Sequence, residues 1–75
     1  MIPKPPSIWP QPDGAPVSCR DKLRVLAENH AELAQAMQDA FEDAILIGVD
    51  EAAFRQILLD MVAGLDSPRR PSGKT

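Results

Sequence analysis

LRVLAENHAELAQAMQDAFEDAILI, residues 23–47, is the stretch that decides the fold. Leu23, Leu26, His30, Leu33, Met37, Ala40, Ala44 and Ile47 recur in alternating steps of three and four, the spacing of one face of a continuous helix. No Gly or Pro interrupts the chain between Pro16 and Gly48. Ser18 with Asp21 three residues on reads as a capping pair, and Pro16 holds Ala15 extended, so the helix is expected to begin at Ser18. Gly48 is the natural stop because it takes a left-handed backbone without steric cost. The first helix is therefore expected over residues 18–47, roughly 43 Å long.

Working outward, Asp50 reads as the cap of a second helix, with Val49 and Phe54 placed as a hydrophobic staple. Phe54, Ile57, Leu58, Met61, Val62 and Leu65 share one face, and Pro68 prevents continuation, so this helix is expected over residues 50–65. A break this short turns the chain back on itself. The expected fold is all-α, an antiparallel helical hairpin over residues 18–66. Upstream, Pro3, Pro5, Pro6, Pro10, Pro12 and Pro16 make residues 1–17 a Pro-rich extended arm. Downstream, residues 67–75 carry Arg69, Arg70 and Lys74 and read as a basic disordered tail.

Composition narrows the function. The chain has 75 residues, and about fifty of them can form a core, a size that is marginal without disulfides, metal or oligomerisation. Cys19 is alone, so it forms no internal disulfide, and no Cys/His set has zinc spacing. No run reaches the roughly twenty apolar residues of a membrane span. The start lacks an apolar signal-peptide core, and with a lone thiol this points to the cytoplasm.

The net charge of −3 hides a division. Arg20, Lys22 and Arg24 open the helix. Between Glu28 and Asp66, nine acids face the single base Arg55. Phosphate contacts need Lys and Arg, so direct nucleic-acid binding by the folded part is not expected.

The second helix is about half as long as the first and covers only its C-terminal part. Leu23, Leu26, His30 and Leu33 lie beyond its reach, and leaving three Leu exposed would forfeit about 1.5–3 kcal/mol each. A protein partner is therefore expected, either a second copy completing a bundle or a larger complex. An antiparallel second copy would set Arg20, Lys22 and Arg24 beside Asp39, Glu42 and Asp43 and relieve their opposition to the helix dipole. Ile8 and Trp9 add a second candidate contact, since Trp is frequent among interface hot spots and a proline-stiffened arm loses little entropy on docking. The same pair could instead fold back over Leu23 and Leu26.

No catalytic, cofactor or metal residue emerges. His30 lacks the Glu-x-x-His companion of bundle metal sites, because Ala27 stands at the Glu position. Cys19 beside Arg20 and Lys22 at a helix start has the setting of a lowered thiol pKa, but no base or orienting residue accompanies it. Asp39, Glu42 and Asp43 form an acidic ridge on one helix, not an oxygen cage. The expected function is a small non-enzymatic accessory subunit or regulatory adaptor with no cofactor and no small-molecule substrate. It would bind through Ile8, Trp9, Leu23, Leu26, His30 and Leu33. The alternative is an acidic inhibitor that blocks a basic, nucleic-acid-binding surface of its target.

Overall fold

The structure is a computed structural model, and it describes residues 1–69. Among the described residues there are two helices and no strand: α1, Arg20–Ile47, and α2, Glu51–Ala63. They are joined by a three-residue connection, the element order of an all-α helical hairpin. Both helices begin and end close to the expected bounds. α1 starts two residues later than Ser18 and α2 ends two residues before Leu65.

The late start of α1 has a local cause. Cys19, not Ser18, supplies the carbonyl that accepts the first helical bond, from Leu23 N–H at 2.9 Å. Asp21 then lies inside the first turn, where it meets Arg24 at 3.8 Å rather than forming a capping pair.

The end of α1 follows from Gly48. Its φ of +116° is the left-handed region that favours glycine. It lets Val49 N–H reach back to Ala44 O at 2.9 Å and Gly48 N–H to Ile45 O at 3.1 Å, the paired bonds of a Schellman cap. Asp50 caps α2, its carboxylate accepting from Ala53 N–H at 2.9 Å. Gly64 closes α2, donating to Asp60 O at 3.0 Å.

The chain divides into two compact units, Met1–Glu42 and the described residues from Asp43 onward. In the first, one side of α1 is half-buried through Leu23, Leu26, Ala27, His30, Ala34, Met37 and Phe41. From the arm, Ile2, Trp9 and Val17 are half-buried with them. In the second unit, Ala44 is buried, and Ile45, Phe54 and Leu58 are half-buried. Ala44, 7 % exposed, is the one buried apolar residue among the described residues. The expected disorder of the basic tail falls largely on residues 70–75, outside the described residues.

Candidate interaction surface

The arm carries no helix or strand, yet its second half is folded. Pro12-Asp13-Gly14 is a turn sequence: Pro presets the backbone of the second position, Asp bonds its own neighbours, and Gly accepts positive φ. Gly14 sits at φ +91° and its N–H donates to Gln11 O at 2.8 Å. Asp13 Oδ1 accepts from Ala15 N–H at 2.9 Å, and Gln11 N–H donates to Ala15 O at 2.8 Å. Val17 N–H then donates to Trp9 O at 2.9 Å, so residues 9–17 close as a loop around an isolated Pro10–Pro16 bridge.

That loop delivers Trp9 to α1. The Trp9 and His30 rings meet edge to face, centroids 6.3 Å apart and planes at 77°. Met1 and Ile2 line a shallow cavity of about 410 Å³ with Ala31, Ala34, Gln35 and Gln38. Val17 forms a second groove, about 420 Å³, with Asp21, Lys22, Val25 and Leu26. Of the expected contact residues, Trp9, Leu23, Leu26 and His30 are half-buried within this unit, while Ile8 and Leu33 stand exposed at 60 % and 61 %.

The exposure of Leu33 has a geometric origin. A pattern that repeats every 3.5 residues drifts by about 20° per heptad on a straight helix. The Leu26–Leu33–Ala40 line winds away from the covered side, and the Ala27–Ala34–Phe41 line winds onto it. Accordingly Leu33 and Ala40 are exposed, while Ala27, Ala34 and Phe41 are half-buried. Reading the stripe at 3.6 residues per turn would have found the second line.

The charged residues Arg20, Lys22, Arg24, Asp39, Glu42 and Asp43 are all exposed. α1 keeps the basic and acidic groups more than ~20 Å apart along its axis. Asp39 and Glu42 are instead oriented by neutral amides one turn back, Gln35 and Gln38, each at 2.9 Å. Asp60 is held by Gln56 at the same distance. Cys19 is exposed, and its pKa lies below the ordinary thiol value. The main cause is the backbone N–H of Lys22, then that of Asp21, both available to the sulfur at the helix start, with the Lys22 charge a smaller contribution. No group of three or more His, Cys, Asp or Glu that could hold a metal ion is found among the described residues.

Most of the exposed large apolar side chains belong to the second unit. Eight of the twelve large apolar side chains that stand exposed among the described residues lie in it: Leu46, Ile47, Val49, Ile57, Leu59, Met61, Val62 and Leu65. Ile57, Leu59, Met61 and Val62 fall within six consecutive positions of α2, more than a single helix face can hold. No helix among the described residues is long and apolar enough to cross a membrane. Compared with protein-family models, curated proteins and solved structures, the chain matches none.

Proposed function

We propose that this chain is a small non-enzymatic accessory subunit or regulatory adaptor that docks on a larger protein in the cytoplasm. One observation carries the reading: α2 is apolar on more than one side and exposed on those sides, with Leu59, Met61 and Val62 each more than 60 % exposed. A helix apolar all round belongs in an interior, and here the interior must come from elsewhere. Within the expected contact set, Ile8 and Leu33 are available at the surface, and the exposed side of α2 adds the larger share. The hairpin and its partner would together complete a helical bundle.

The competing reading, an acidic inhibitor of a basic surface, rests on exposed acids such as Asp39, Glu42 and Asp60, which neutral Gln side chains orient without neutralising. Salt and mutation separate the two. Apolar docking should survive about 0.5 M NaCl, whereas charge mimicry should dissociate steeply. The test is co-precipitation from native lysate with the wild type and with Leu59→Asp/Val62→Asp, two exposed positions whose change should leave helicity intact. A companion that persists in salt and is lost from the variant supports docking through α2. A companion that is lost in salt and kept by the variant supports the inhibitor.

A further inference from the structure

We propose that the stripe from Leu23 to Ala40 is a seam for pairing with α1 of a second copy, antiparallel, and that the chain's own N-terminal arm occupies it in the monomer. This goes beyond the adaptor reading and uses different residues, so either can fail alone.

The repeat is the first reason. Leu23, Leu26, His30, Leu33, Met37 and Ala40 keep strict steps of three and four. Such a pattern stays on one line only when the helix is underwound to about 3.5 residues per turn against another helix. Supercoiling would return Leu33 and Ala40 to line with Leu23, His30 and Met37. An irregular, proline-rich arm cannot impose that underwinding. The arm's cover is correspondingly thin: Leu23, Leu26 and His30 remain only half-buried, and Leu33 lies outside it.

The second reason is the order of side chains along the seam. In an antiparallel pair with its two-fold axis between Ala31 and Glu32, Leu23 opposes Ala40, Leu26 opposes Met37 and His30 opposes Leu33. Large then meets small at both ends, and two His30–Leu33 pairs flank the centre. A parallel pair would set Leu26 on Leu26 and Ala40 on Ala40, a bulge followed by a void.

Charge makes the same choice. Arg20, Lys22 and Arg24 crowd the start of α1, and Asp39 and Glu42 lie near its end, against the helix dipole in both places; the last turn holds no base. An antiparallel neighbour brings each charged end within a Debye length of its opposite, ~10 Å at 0.1 M salt. A second copy supplies the seam, the size order and the charge order at once. A two-fold interface requires nothing further.

The exchange is read by sedimentation equilibrium of the full chain across a concentration series, monomer mass 8.2 kDa. Trp9→Ala removes the arm's ring contact with His30. Each dimer releases two arms, so self-association should tighten by roughly ten-fold or more. Leu33→Asp buries a carboxylate on each side of the axis and should return the Trp9→Ala protein to monomer with unchanged helicity, because Leu33 is exposed in the monomer. Should Trp9→Ala itself lose helicity, Gly14→Ala replaces it. Its added methyl meets nothing within 4 Å, but its φ of +91° strains the turn that holds the arm. Monomers throughout, association no tighter than in the wild type, or a dimer indifferent to Leu33→Asp each overturns the proposal.

Discussion

Replacing His30 by Ala tests whether the arm is held by the contact the structure places at its tip. The Trp9 and His30 rings lie 6.3 Å apart at 77°, inside the range of edge-to-face pairs. Such a pair is worth about 0.5–1.5 kcal/mol beyond the area it buries. Since about 1.4 kcal/mol is a factor of ten, loss of the ring should raise the population with an undocked arm roughly two- to twelve-fold. Trp9 is the only tryptophan, so its fluorescence reports the arm and nothing else. Acrylamide quenching, at concentrations where the protein is monomeric, should be steeper in His30→Ala than in the wild type. Far-ultraviolet circular dichroism should hold or rise, because Ala is the better helix former. His30→Phe keeps an aromatic edge for Trp9 and should restore most of the protection. Identical quenching slopes in the wild type and His30→Ala would refute the account of what holds the arm.

The remaining predictions concern the two ends of α1. Gly48→Ala adds a methyl that meets nothing within 4 Å, so its cost is the backbone alone, forced to φ +116°. That cost is about 1–2 kcal/mol. Thermal melts followed by circular dichroism should fall by roughly 4–8 °C per kcal/mol, and an unshifted midpoint would show that the cap is not strained by a side chain. Cys19 has a thiol pKa held below its ordinary value by the backbone N–H groups of Lys22 and Asp21. Iodoacetamide should therefore alkylate the folded protein with a pH midpoint lower than that of the protein in urea. A folded pKa below the unfolded one contributes stability that is present above the unfolded pKa and lost as pH falls through the folded one. Stability should rise with pH across that window and do so less in Cys19→Ala. Equal midpoints in the folded protein and in urea would remove both expectations.

The helices were legible because their signals are local. Gly48 and Asp50 are punctuation that works without reference to the rest of the chain, and each makes in the structure the bonds its residue type calls for. The start of α1 was less legible, because Ser18 and Cys19 both offer a carbonyl for the first turn. The turn within the arm was less legible for a different reason. Six prolines suggest extended chain, and their density masks Pro12-Asp13-Gly14, a three-residue turn with its own chemistry.

The face of α1 was blurred by period. The large residues Leu26, Leu33 and Ile47 lie along a 3.5-residue line. The covered side of the first unit joins Leu23, Leu26, His30 and Met37 with Ala27, Ala34 and Phe41, two of these last too small to stand out. The exposure of α2 lay in the sequence only as an excess of apolar letters. How much of that excess the chain itself covers depends on tertiary packing, which periodicity does not encode.

The bond from Val17 to Trp9 has one more effect. It ties Trp9 to the foot of α1 through a closed loop of nine residues, from Trp9 to Val17. A tether that short presents the indole to its own helix at an effective concentration of about millimolar. Any external ligand for Leu23, Leu26 and His30 therefore competes with a built-in rival and loses affinity in proportion. Leu33 has no such rival. Selectivity along α1 is thus graded by how far the tether reaches, not by which residues are apolar.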